Sequence, residues 1–99
     1  MDRYILTKKA LSDLSEIWNY TYDMWSENQA DKYYQMLIDN FEKIATNPDI
    51  GKRYQKIADK LFGLKVGKHI VFYRKIRKRQ IEITRILHES MDLKSRIND

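Results

Sequence analysis

The sequence predicts an α+β domain ordered β-α-α-β-β-β, in which an antiparallel helical hairpin packs on one face of a small, mainly antiparallel sheet. Three observations predict it. Apolar residues recur at helical spacing from Ala10 to Trp25 and again from Ala30 to Ala45, with almost no linker between the two runs. From Leu61 to His88 the period changes to the alternation of half-buried strands. The basic run Arg77-Lys78-Arg79 then divides two such strands as a solvated turn.

Arg3–Leu6 is read as a first strand, and Thr7 as the N-cap of a helix, its hydroxyl accepting from an exposed amide of the next turn. The first helical stripe is Ala10, Leu11, Leu14, Ile17, Trp18, Thr21 and Trp25, with Asp13, Glu16 and Asp23 turned away. Ser26-Glu27-Asn28-Gln29 fits a capping box opening a second helix. Its stripe runs Ala30, Tyr33, Tyr34, Leu37, Ile38, Phe41, Ile44 and Ala45, and Asn47-Pro48 ends it, because a residue before proline avoids helical geometry. Helices joined this tightly fold back as a hairpin, and their stripes need the alternating strand faces as a common apolar surface. Residues 49–60 form a polar connection anchored by Tyr54 and Ile57. Strands follow at Leu61–Val66, Lys68–Ile76 and Gln80–His88, and a tail, 89–99, has one weak helical signal.

Ninety-nine residues suffice for one domain, spanning 1–99. Hydrophobic content of 42% argues against disorder. The lack of cysteine excludes a disulfide scaffold, a thiolate metal site and thiol catalysis, and suits a reducing compartment. No run of 18 apolar residues suggests a membrane span, and MDRYILTKK lacks a signal-peptide core, so the expected location is the cytoplasm. A net charge of +5 favours an anionic partner such as an acidic protein segment or a nucleoprotein, although a lysine-rich solvated surface has the same composition.

His88, with an ordinary pKa near 6.5, is the first candidate for acid–base chemistry; the bland alternative is a strand-end hydrogen bond. Glu89 and Asp92 follow it and oppose the cationic surroundings that RNA cleavage needs. Alternation places Arg74 and Arg85 on one face with Ile70, Phe72, Ile83 and Leu87, where an arginine needs a carboxylate or solvent access. Such residues either bind phosphate or an acidic partner, or hold the tail internally, for example Arg85 to Asp92. Lys52, Arg53 and Lys56 cluster in the central loop, and Lys75, Arg77, Lys78 and Arg79 around the hairpin turn, as RNA-backbone ligands or as solvated cations that discourage edge association. Trp18, Trp25, Tyr33 and Tyr34 lie on or beside the stripes and read as core, whereas Tyr20 and Tyr22 fit less well and are expected to be exposed at a protein interface. There is no GxGxxG, P-loop or HExxH pattern, and no cofactor or metal is expected.

GKHIVFYR (67–74) followed by IEITRILHESMD (81–92) resembles the C-terminal half of ParE toxins, within the wider RelE/ParE superfamily. Tyr4-Ile5-Leu6-Thr7 with Ala10 and Asp13-Leu14, the junction Ile17–Tyr34, and Asn47-Pro48 with Gly51-Lys52 are similar to the same family in the same order. The resemblance implies a non-enzymatic toxin of a type II toxin–antitoxin pair that binds DNA gyrase, traps it on broken DNA and blocks replication. It implies a ParD-like antitoxin as partner, with no membrane association and no sequence-specific DNA binding. Target contacts are expected in the tail at Met91, Leu93, Lys94 and Arg96, and antitoxin contacts at Tyr20, Tyr22, Arg53 and Arg74. Two rivals remain: a RelE-type ribosome-dependent endoribonuclease, for which Arg74, Arg85 and His88 would be the catalytic set, and an antitoxin-binding module with another target.

Overall fold

A computed structural model describes residues 3–98. The elements run β1 (Arg3–Leu6), α1 (Lys8–Met24), α2 (Glu27–Thr46), β2 (Lys52–Arg53), β3 (Phe62–Val66), β4 (His69–Arg77), β5 (Gln80–His88) and α3 (Leu93–Ile97). The α+β hairpin-on-sheet architecture is the one read from periodicity, with two additions. Lys52–Arg53, expected as part of a loop, pairs antiparallel with β3 as a short edge strand. The weak helical signal of the tail becomes α3.

The caps act as their residue types dictate. Thr7 Oγ1 accepts from the Ala10 amide at 3.0 Å and donates to the Thr84 carbonyl at 2.8 Å, so one hydroxyl starts α1 and fastens it to β5. Ser26 Oγ accepts from the Gln29 amide at 3.0 Å and starts α2. The Tyr73 hydroxyl donates to the Pro48 carbonyl at 2.7 Å and accepts from the Gly51 amide at 2.9 Å, which pins the chain after α2 to the middle of the sheet.

The sheet order is β1-β5-β4-β3-β2, parallel only between β1 and β5. On the helix side, Leu14, Leu37, Phe41, Ile44, Val71, Tyr73, Ile81, Ile83 and Ile86 form the main core. The opposite face carries a smaller one of Leu61, Ile70, Phe72 and Leu87, covered by Tyr54, Ile57, Ala58, Leu93 and Ile97. Truncating one of the fully buried large aliphatic side chains to alanine costs about 2–5 kcal/mol.

A bulge divides β5 between these two cores. Phe72 pairs with Arg85 while Tyr73 pairs with Ile83, so Thr84 is the extra residue. Simple alternation puts Ile83, Arg85 and Leu87 on one face. The bulge instead turns Ile83 and Ile86 towards the helices and Leu87 to the other side. Arg74 remains on the face of Ile70 and Phe72, beside Ala58 and Ile97.

The aromatic expectations divide. Tyr33 and Trp18 are half-buried and Tyr34 is exposed. Trp25, placed in the apolar stripe, is 76% exposed, because α1 ends at Met24 and Trp25 leaves the helical path at φ −128°, ψ −81°. Tyr20 and Tyr22 are exposed as expected, and Tyr22 stacks on Trp18 with centroids 5.3 Å apart.

Candidate functional site

A cleft of about 580 Å³ opens between α1 and the end of the β4–β5 hairpin, and the chain leaving β5 closes it. Asp13, Glu16, Ile17 and Tyr20 line it from α1, His69 from β4, Arg85 and His88 from β5, and Ser90, Met91 and Arg96 from the C-terminal segment.

At its base, Arg85 donates from Nε to Asp13 Oδ2 at 2.8 Å and from Nη2 to Oδ1 at 3.0 Å. The Ile86 amide adds a third bond to Asp13 Oδ2 at 2.9 Å. Arg85 Nη1 donates to the Arg96 carbonyl at 2.8 Å. One guanidinium therefore ties α1 to β5 and β5 to α3. This corrects two expectations. Asp13 is turned inwards rather than away, because a fork-shaped cation at the bulge needs a carboxylate partner. The internal partner of Arg85 is Asp13 rather than Asp92, whose carboxylate caps α3 through the Ser95 amide at 3.3 Å.

The two histidines face each other across the hairpin end, with ring centroids 5.3 Å apart at 81°. The Tyr33 hydroxyl lies 2.6 Å from His69 Nδ1 and accepts from the Lys68 amide at 3.0 Å. Burial pushes the His69 pKa down to about 4, the neighbouring His88 pushes it the same way, and Asp13 and Glu89 only partly oppose them. His69 is thus neutral near pH 7. The Tyr33 hydroxyl also lies 3.4 Å from the Val66 carbonyl, and the tautomer of His69 decides which of Tyr33 and Nδ1 donates in their contact. His88 Nδ1 accepts from the Ser90 amide at 3.1 Å and meets Ser90 Oγ at 2.7 Å. Lys65 holds Glu89 at 2.9 Å and keeps its carboxyl below the usual range.

The sequence-predicted residues fall into several environments. Arg85 and His88 share the cleft, while Arg74 lies in a separate depression that Arg85 also borders, where its Nε donates to the Asp59 carbonyl at 3.4 Å. Of the tail residues, Met91 and Arg96 line the cleft, Leu93 packs into the smaller core and Lys94 is exposed. Tyr20 forms part of the cleft wall, and Tyr22 lies on Trp18. Arg53 sits over the Phe62 ring at 5.7 Å, beside Lys75, which pairs with Asp49. Asp13, Tyr33, His69 and Ser90 are the site residues that sequence reasoning missed. Only Asp13 had a signal: an arginine on a core-facing strand required a carboxylate somewhere.

The family model described as ParE toxin of type II toxin-antitoxin system, parDE, matches residues 4–93. The chain belongs to the ParE toxin family. It is 37% identical over 91 residues to Toxin ParE1 of Mycobacterium tuberculosis, covering 92% of this chain and 93% of that one. It is 34% identical to Toxin ParE1 of Caulobacter vibrioides over 98 residues, covering 98% and 99%. A solved structure titled "Chromosomal ParDE TA system from P. aeruginosa" shares the fold at a TM-score of 0.74 and 19% identity, over 89% of this chain and 95% of that one. In this ParE chain the family match takes in Asp13, Arg85 and both histidines, and it stops at the first residue of α3.

Proposed function

We propose that this ParE-family toxin acts on DNA gyrase without catalysing a reaction of its own, that a ParD-like antitoxin neutralises it, and that both events take place in the cytoplasm. The observation that carries the non-enzymatic reading is the commitment of Arg85. RNA cleavage requires a cation to meet the developing phosphorane charge, and Arg85 is already shared between Asp13 and the Arg96 carbonyl. The other candidates agree with this. His88 Nδ1 is satisfied by Ser90, and Arg74 lies outside the cleft, in a separate depression where its Nε donates to the Asp59 carbonyl. Among the described residues, no helix is long and apolar enough to cross a membrane.

Target contact is assigned to the exposed parts of the C-terminal segment, Met91, Lys94 and Arg96, and antitoxin contact to Tyr20, Tyr22, Arg53 and Arg74. The exposure of Tyr20 and Tyr22 supports the second assignment. A side-by-side assay of the purified protein tests the reading. Inhibited supercoiling or accumulated cleaved plasmid is expected with gyrase, and intact messenger RNA with translating ribosomes. Codon-specific RNA cuts beside normal gyrase activity would instead establish the endoribonuclease. Loss of growth with neither effect would indicate another target.

A further inference from the structure

The depression that Arg74 borders, about 440 Å³ in volume, lies where β1 gives way to α1. β1 ends at Leu6, opposite Ile83, and from Thr84 onwards β5 meets Thr7 and the first turn of α1 instead. Thr7, Lys8 and Lys9 line the depression from the helix start, Arg74 from β4, and Glu82 and Thr84 from β5.

Two groups there lack a partner. The first belongs to the helix start. Thr7 answers two amides of the first turn, its Oγ1 accepting from Ala10 and its carbonyl from Leu11, whereas the Lys8 amide has no acceptor among the described residues. α1 also has no acidic residue in its first turn, so the positive end of its dipole lacks a carboxylate of its own. The second is the hydroxyl of Thr84, the extra residue of the bulge. Thr84 is only 8% exposed, and its Oγ1 has no hydrogen-bond partner among the described residues. Buried hydroxyls are ordinarily satisfied, and valine would fill the same space with no polar atom to place.

The charge around these two donors is cationic. Lys8 is exposed beside them, and Arg74 commits only its Nε, to the Asp59 carbonyl. Arg85 adds nothing, being spent on Asp13 and the Arg96 carbonyl. Among the described residues, the carboxylate at the wall is that of Glu82, the cross-strand neighbour of Arg74, while the carboxylate of Asp59 is turned to Gln55. Lys8, Lys9 and Arg74 outnumber it.

We infer that this depression binds a phosphate group, with the Lys8 amide and the Thr84 hydroxyl donating to its oxygens and Lys8 and Arg74 supplying the charge. A phosphate presents acceptor oxygens on every side, so it answers amide, hydroxyl and guanidinium together, and a helix start beside cations suits it. Arg74 is also assigned to antitoxin contact, so an acidic antitoxin segment and a phosphate group compete for it. The site lies apart from the cleft at the hairpin end and does not depend on the identity of the toxin's target.

The test titrates the full-length, isotope-labelled protein with inorganic phosphate, and with sodium chloride at matched ionic strength, while the backbone amide signals are followed. Saturable shifts centred on Lys8 and Thr84 are expected with phosphate only. Thr84→Val should melt at or above the temperature of the parent in phosphate-free buffer, yet bind phosphate about threefold to tenfold more weakly. Lys8→Gln, at an exposed position that keeps its amide, should stay folded and weaken binding about twofold to fivefold, as should Arg74→Gln. A short oligonucleotide of arbitrary sequence, judged at the same amide signals, distinguishes the source of the phosphate. Tighter binding than inorganic phosphate at equal phosphate concentration assigns the site to a nucleic-acid backbone, and weaker binding assigns it to free phosphate or a phosphomonoester. Three results would each overturn the proposal: equal shifts in chloride, shifts that never saturate and so mark an adventitious ion only, or a folded Thr84→Val or Lys8→Gln protein that binds phosphate as the parent does.

Discussion

Asp13 and Arg85, 72 residues apart, meet through two hydrogen bonds of 2.8 and 3.0 Å at the base of the cleft, where their side chains are only 10% and 13% exposed. The pair joins the first helix to the last strand, and the third donor of Arg85 extends the link to α3. Removing one partner leaves the other charge poorly solvated, and in Asp13→Ala the Ile86 amide also loses its acceptor. Asp13→Ala is therefore expected to destabilise by about 3 kcal/mol, and Asp13→Asn by less, since it keeps an acceptor there. A urea-unfolding double-mutant cycle with Arg85→Ala measures the link directly, with a coupling of about 1–3 kcal/mol expected. Additive single effects would mean that the pair is only a neighbourly contact.

His69 gives the fold an acid-sensitive component. Its pKa is about 4 in the folded protein against an ordinary 6.5. Between these values the unfolded chain binds the extra proton and the folded one does not. The stabilisation from a neutral His69 is therefore complete above pH 6.5 and is lost as pH falls towards 4. The groups facing it are Tyr33, His88, Asp13 and Glu89. The melting temperature should fall across this window, and His69→Gln should flatten that fall. An NMR titration placing His69 near 6.5 would contradict the assignment.

Much of this architecture was legible in the sequence because it rests on local rules. Thr7 and Ser26 cap helices wherever they precede an apolar stripe, and Asn47-Pro48 ends one. What remained illegible depends on a register shift of a single residue. The bulge at Thr84 leaves no mark in the pattern, since a β-branched residue suits a regular strand equally well. Without it, Arg85 and Leu87 are placed with Ile83, and the inward turn of Asp13 has no motive. Trp25 was misplaced for a related reason: helical spacing cannot say where the helix stops. The Tyr33–His69 contact joins α2 to β4 across 36 positions and follows only from tertiary packing.

His88→Ala tests the non-enzymatic reading at a single position. His88 lines the cleft, but its ring bonds to Ser90, two residues along the chain. If it serves as a strand-end anchor, the variant keeps growth inhibition and loses about 1 kcal/mol of stability. A folded variant without toxicity would restore His88 as a chemical participant.

Charge also makes a kinetic prediction for neutralisation. With a net charge of +5 and Arg77, Lys78 and Arg79 exposed at one turn, an acidic antitoxin segment is steered towards the toxin. Raising salt should slow association more than it speeds dissociation, because steering acts on the encounter and contacts act on the escape. Stopped-flow mixing at several ionic strengths measures both rates. An association rate indifferent to salt would remove steering from the account.

The C-terminal segment allows the sharpest separation of stability from toxicity. Cutting the chain after Met91 removes Leu93 and Ile97 from the smaller core as well as the exposed side chains. Such a truncation is expected to abolish growth inhibition, but it also uncovers Phe72 and Leu87 at a cost of about 2–4 kcal/mol, so its loss of toxicity has two possible causes. Point changes avoid the ambiguity. Met91 and Lys94 are exposed, and Arg96 contributes its backbone carbonyl to Arg85, which an alanine retains. The combined Met91→Ala, Lys94→Ala, Arg96→Ala protein should therefore melt close to the parent and bind antitoxin with similar affinity, while losing inhibition of growth and of gyrase. Full toxicity in that protein, with its melting temperature preserved, would move target recognition away from the tail.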